Sequence, residues 1–153
     1  VRQSPVPVLV VKEYYQRPIR NIVFPSHLDM DDQDGLISKV KQLQNFFKAK
    51  LHIVWINTPA GFIVDTKTHE RLERFAKRYM FTDFTINIFN HVSTEEGILG
   101  FADMINADMI AMGTHSHTGL SHLTNGSVAE DVVNHSKRLI WTYTLKNELA
   151  VAN

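Results

Sequence analysis

The chain has 153 residues, enough for one domain that buries roughly two thirds of its unfolded surface without metal or disulfides. Its 16 Lys+Arg balance 16 Asp+Glu, so no overall positive field draws it onto nucleic acid or acidic lipid, and neither partner is expected. The absence of cysteine removes disulfides, thiolate catalysis and cysteine-ligated zinc. With no signal-peptide order and no apolar run near the roughly 20 residues of a membrane span, a cytoplasmic location is expected.

Residues Pro5 to Val11 form a short β-branched run opened by prolines, as suits a strand near a sheet edge, where a missing N–H is tolerated. Glu13 to Pro18 reads as a linker. Ile19 to Pro25 is a second apolar strand whose exit carries Ser26, His27 and Asp29, a rim for a ligand. Asp29, Asp31, Asp32 and Asp34 then lead into a helix with apolar Leu36, Ile37, Val40, Leu43, Phe46 and Phe47 at a period near 3.6. Carboxylates at a helix N-terminus are favourable by about 0.3–1 kcal/mol each, so helix capping is preferred to an acidic metal site.

Leu51 to Ile56 is apolar almost throughout, as befits a central parallel strand covered on both faces, and Asn57-Thr58-Pro59-Ala60-Gly61 ends it. Thr66 to Met80 carries an amphipathic helix on Leu72, Phe75, Ala76 and Tyr79, with its charges on a solvated face. Thr85 to Phe89 is a further strand. Ser93-Thr94-Glu95-Glu96 is a capping-box signature that opens a helix through Ile98, Leu99, Ala102 and Ile105. Met109 to Met112 is the next strand, and a loop divided by Gly113, Gly119 and Gly126 leads from it into a helix, Ser127 to Asn134, with Val128, Val132 and Val133 on one face. Arg138 to Leu145 is the closing strand.

Strands alternating with amphipathic helices imply an α/β fold: a doubly wound, five-stranded parallel sheet with helices on both faces. Ligands of such sheets bind beyond the C-terminal strand ends, where strand order reverses. The glycine loop and the Ser26-His27 rim both leave strands at that end. Glycines let the backbone curl into a nest of N–H donors, and a helix start adds more, so the loop reads as an anion cradle.

Two rival chemistries are weaker. His115, His117 and His122 share one loop, but without a fixed carboxylate or cysteine pattern no physiological metal is expected. Ser116 or Ser127 beside a histidine suggests a nucleophile pair, yet a helix-cap serine explains the pattern better, and no phosphate-loop or nucleophile-elbow motif is present. No enzyme activity is expected, slow ATP hydrolysis being left open.

Over residues 19–145 the chain resembles a universal stress protein domain. The resemblance rests on the family loop motif G-x2-G-x9-G-[ST], here Gly113, two residues, Ser116, nine residues, and Gly126-Ser127, and on the flanks INADMIAMGTH and GLSHLTNGSVAEDVV. It implies a strand order of 3-2-1-4-5 and an adenine nucleotide, ATP or AMP with or without Mg, held by Pro25, Ser26, His27, Ile56, Met112, Gly113, His115, Ser116, Gly119, Gly126, Ser127 and Val128. Two departures lower the expected affinity. Ser116 replaces the second glycine, and His27 stands where many relatives have aspartate. If residue 116 must take positive φ, a side chain costs about 1–2 kcal/mol, or about ten-fold in affinity. The alternative is an empty dimerisation or scaffold domain of the same family.

SPVPVLVVKE at the start resembles the closing strand of another such domain, as in a tandem protein. Residues 1–17 are therefore expected to be that strand and a linker, 18–147 the domain, and 148–153 a tail. Pro7 to Lys12 is expected to pair antiparallel with the strand around Arg138 to Leu145, within the chain or exchanged with a second copy. The gap of about 14 Å is within reach of about seven linker residues. The partners implied are thus an adenine nucleotide and a second universal stress domain, in the same chain or in a homodimer.

Overall fold

The computed structural model describes residues 4–26, 33–115 and 125–145, with the backbone alone at 115 and 125–127. The elements follow the expected alternation: β1 (Val8–Val10), β2 (Asn21–Pro25), α1 (Asp34–Phe47), β3 (Lys50–Asn57), α2 (Asp65–Arg78), β4 (Phe84–Asn90), α3 (Thr94–Met104), β5 (Met109–His115), α4 (Asn125–His135) and β6 (Leu139–Leu145). They form one six-stranded mixed sheet in the order β1-β6-β5-β2-β3-β4. Counted from β2, the five parallel strands lie 3-2-1-4-5. The N-terminal pairing is shorter than the expected Pro7 to Lys12: three residues of β1 run antiparallel to β6, with Val8 opposite Thr142 and Val10 opposite Ile140. Pro5 and Pro7, lacking N–H donors, precede this short ladder.

The period-2 alternation of the strands separates two cores. Ile22, Phe24, Leu51, Ile53, Met109, Ala111 and Trp141 face α1 and α2, where Leu36, Ile37, Val40, Leu72 and Ala76 meet them. Val23, Val54, Ile56, Ile110, Met112 and Ile140 face Ile98, Phe101 and Ala102 of α3 and Ala129 and Val132 of α4. In β2, Ile22, Val23 and Phe24 are all at 0 % exposure, as a strand covered on both faces requires.

Helix starts are treated unequally. Ser93 caps α3 as its sequence suggests, its hydroxyl accepting from the Glu96 amide at 3.3 Å. At α1 the N-cap is Gln33, which makes no side-chain cap bond, and Asp34 lies in the first turn; Asp29, Asp31 and Asp32 lie outside the described residues. Phe46 also departs from expectation. It is 79 % exposed, because at about 100° per residue it lies on the side of α1 opposite the buried Leu36, Ile37, Val40 and Gln44, edge-on to Phe47 at 4.9 Å.

The linker after β1 is tied to the N-terminal ends of the strands. Asp108, just before β5, accepts from the Tyr15 hydroxyl at 2.6 Å and from the amides of Arg20 and Asn21 at 2.9 Å each. Burial would raise the Asp108 carboxyl pKa, but these donors and the Arg17 charge outweigh it and hold it below the ordinary value. Burial and the carboxylate together push the Tyr15 hydroxyl up to about 12. Lys12 Nζ donates to the Asn134 carbonyl at 2.7 Å, capping the C-terminal end of α4 with a cation.

Candidate functional site

Strand order reverses between β2 and β5, which are parallel neighbours through Ile22–Met109 and Val23–Ile110. Their C-terminal ends, Pro25 and His115, therefore open the crevice where α/β sheets place ligands. β3 lies on the other side of β2, with Pro25 opposite Val54. Because β5 runs toward this end and α4 returns from it, the first turn of α4 lies at the same end. Gly126 and Ser127 fall inside that turn, the helix starting two residues before the expected Ser127.

Alternation then decides which side chains meet. Ile56 and Met112 are 7 % and 4 % exposed, on the face covered by α3 and α4, and Val128 packs partly against the same cluster. Three of the expected nucleotide contacts thus belong to one apolar cluster beneath α3 and α4. Gly113 points the other way. A Cβ there would come within 2.7 Å of Leu36 Cδ2 in α1 and 3.6 Å of Leu145 Cδ1, so the missing side chain admits the start of α1 against β5. Its φ is not in the left-handed region, and a strand-packing role explains this glycine without a phosphate.

Ser26 supplies the polar element of the rim. Its amide donates to the Val54 carbonyl at 2.9 Å, which ties the end of β2 to β3, while its hydroxyl is buried without a hydrogen-bond partner among the described residues. A buried unpaired hydroxyl costs about 1–3 kcal/mol, so a polar group arriving in the crevice would relieve it. His27, Ser116 and Gly119 lie outside the described residues, and the His115 side chain is likewise outside them. His117 and His122 are also outside; among the described residues no group of three His, Asp or Glu forms a metal cluster.

A second crevice, of about 660 Å³, lies one strand further on, at the ends of β3 and β4. Asn57 forms its floor, 3 % exposed, donating to Asn90 Oδ1 at 3.1 Å and accepting from the Ile63 amide at 3.1 Å. Phe62 and Val92 stand exposed at its mouth. Sequence reading passed over these residues, although the polar Asn57-Thr58-Pro59 run directly after a buried strand marks where a chain leaves the sheet. The loop from β4 to α3 is pressed against β3 through Gly97, where an added Cβ would lie inside the van der Waals shell of Ile56 Cγ2 and 3.0 Å from His91 Cβ.

Among the described residues no helix is long and apolar enough to cross a membrane. No curated protein matches the chain. In fold it is similar to a universal stress protein from Archaeoglobus fulgidus, with a TM-score of 0.69 and 17 % identity over 94 % of this chain and 51 % of that one, so the chain spans about half of that relative's length. It is also similar to a universal stress protein solved in complex with cAMP, at TM-score 0.61 and 21 % identity over 84 % of this chain and 98 % of that one. A universal stress protein from Archaeoglobus fulgidus in complex with dAMP aligns at TM-score 0.61 and 17 % identity over 82 % of this chain and 98 % of that one. Residues 67–140, from α2 into β6, match the Universal stress protein family, and the chain shares the fold of the universal stress proteins it aligns with.

Proposed function

We propose that the domain binds an adenine nucleotide, ATP or AMP with or without Mg, in the crevice between β2 and β5, as a regulatory module with no turnover of its own. The observation that carries the reading is the Ser26 hydroxyl, buried without a hydrogen-bond partner among the described residues at the point where strand order reverses; Ile56, Met112 and Val128 supply one apolar wall in this reading, and the first turn of α4 lies at the same end of the sheet. An adenine suits the apolar wall. Phosphates suit the unpaired N–H groups of a helix start and the glycine-bearing segment before it. The cAMP and dAMP bound to two proteins of this fold support the same ligand class.

The loop is a degenerate form of the family motif, G-x2-S-x9-G-S, so binding is weak. Denaturing the purified protein and assaying released adenine nucleotide, followed by thermal-shift titration with ATP and AMP, tests the proposal. Released nucleotide or a saturable shift supports it; neither, at millimolar nucleotide, refutes it in favour of the empty scaffold.

The antiparallel β1–β6 ladder favours a second feature of the same reading. Residues 1–17 act as the closing strand and linker of a preceding universal stress domain, docked on domain 18–147, with 148–153 as a tail. A chain lacking residues 1–11 that keeps its stability and its state of association would argue against this arrangement.

A further inference from the structure

The two edges of the sheet are handled differently. At one edge β1 is three residues long and is preceded by Pro5 and Pro7, features that blunt an edge against further pairing. At the other, β4 is seven residues long and reads FTINIFN, with no charge, no proline and no glycine. Among the described residues β4 pairs with β3 alone. Ile86, Ile88 and Phe89 are each only partly buried by their own chain. A long, uncharged edge strand is a template for another strand.

The ladder to β3 fixes which backbone groups are free. The Leu51 amide donates to the Asp83 carbonyl at 3.0 Å, and the His91 amide donates to the Asn57 carbonyl at 3.0 Å. Odd-numbered residues along β4 therefore aim their N–H and C=O groups at β3, and Phe84, Ile86, Ile88 and Asn90 aim theirs outward. These four positions are symmetric about Asn87. If a second copy lies antiparallel across a two-fold axis at Asn87, Ile86 faces Ile88 of the other copy and Phe84 faces its Asn90, each as a pair exchanging both N–H···O bonds. The parity works for this register. Shifting it by one residue sets outward groups against inward ones.

The residues just beyond the strand fit the same axis. Asp83 of one copy comes opposite His91 of the other, an acidic group against an imidazole. Asp83 is exposed, with a 3.8 Å ion pair to Lys50, and the His91 ring, whose buried Nδ1 lies 3.6 Å from Glu96 Oε2 of its own chain, is partly buried. A chain with equal numbers of acidic and basic side chains adds no net repulsion between copies.

We infer that the outer edge of β4 pairs antiparallel with β4 of a second copy of this chain, about a two-fold axis at Asn87, joining two six-stranded sheets into one. The interface is separate from the nucleotide crevice and from the β1–β6 edge, so it stands whether or not nucleotide binds.

The test combines sedimentation velocity from micromolar to near-millimolar protein with residue-resolved amide hydrogen exchange over the same range. The expected result is a monomer–dimer equilibrium in which the amides of Phe84, Ile86, Ile88 and Asn90 gain protection with concentration, while those of Thr85, Asn87 and Phe89 are protected throughout. A monomer at every concentration overturns the inference. So does a dimer in which the four even-numbered amides still exchange fast, since that dimer uses another surface. Ile88→Pro removes one outward N–H, leaves the β3 ladder donors in place, and is expected to raise the dimer dissociation constant at least ten-fold. A folded Ile88→Pro protein that dimerises like the wild type overturns the inference; if the variant does not fold, the exchange pattern of the wild-type chain decides.

Discussion

Replacing Gly97 by alanine sets two effects of opposite sign against each other. Gly97 lies in α3, where alanine is favoured over glycine by about 1 kcal/mol from helix propensity alone. The added methyl, however, would penetrate Ile56 Cγ2 and come within 3.0 Å of His91 Cβ. Carbon atoms rest at about 3.5–4.0 Å, so Ile56, 7 % exposed and locked in the α3/α4 core, must move by about 1 Å. Overpacking of this kind costs about 1–3 kcal/mol, and with the overlap falling on a buried branched side chain the upper end applies. A net loss of about 2 kcal/mol is expected for Gly97→Ala. Gly100 in the same helix is the control. Its Cβ would sit 3.5 Å from Phe89 Cε1, an ordinary contact, so Gly100→Ala should gain about 1 kcal/mol. At about 2–4 °C per kcal/mol for a domain of this size, the melting temperatures should move in opposite directions. Urea unfolding of both variants measures the difference, about 3 kcal/mol. Because Ile56 is part of the wall proposed for the adenine, Gly97→Ala should also weaken any nucleotide thermal shift. If Gly97→Ala is as stable as Gly100→Ala, the packing argument for α3 against β3 is wrong.

The linker clamp gives a pH signature. Asp108 has its carboxyl pKa held below the ordinary 3.8, so its stabilisation is present above that value and is lost as pH falls below it; Asp108→Asn should cost about 1–2 kcal/mol at neutral pH and flatten the acid limb of the unfolding curve. Tyr15, raised to about 12, contributes stability that is intact below pH 10 and fades as pH rises toward 12, and a spectroscopic tyrosinate titration of wild type against Tyr15→Phe should lose that late step. His52, bonded to Thr85 Oγ1 at 2.8 Å and Asn21 Oδ1 at 2.9 Å, is held below 6.5 by burial and then by Lys50, so its NMR titration midpoint should lie under that value; a midpoint above it refutes the burial argument. Ser116→Gly should tighten ATP about ten-fold if that side chain is what weakens the loop, and an unchanged affinity would shift attention to His27 or away from nucleotide altogether.

The order of elements was readable because helix and strand periods differ and alternate cleanly, and the Ser93 cap could be read from four residues. The strand order and the β1–β6 pairing came with the family resemblance, and the structure shortened that pairing to three residues. Residue roles at the crevice were harder to read. Gly113 belongs to a glycine-spaced motif, yet its neighbour across the sheet is Leu36, 77 positions earlier, and no local pattern announces a contact made through space. Gly97 looked like an ordinary helix residue for the same reason. Phe46 is apolar but lies off the 3.6-period face that Leu36, Ile37, Val40 and Gln44 share, so counting apolar residues overstated the buried stripe by one. Outward parity on β4 needs the register with β3, which the sequence of β4 alone does not carry.

The contact between Leu36 and Gly113 has a mechanical meaning. Leu36 follows the chain that leaves β2, and Gly113 precedes the chain that leaves β5, so one methyl-to-backbone contact braces the two walls of the crevice at a fixed width. Moving α1 away from β5 would empty a buried leucine from its socket. A side chain at position 113 would therefore displace the start of α1 rather than either strand, which the parallel ladder between β2 and β5 holds in place.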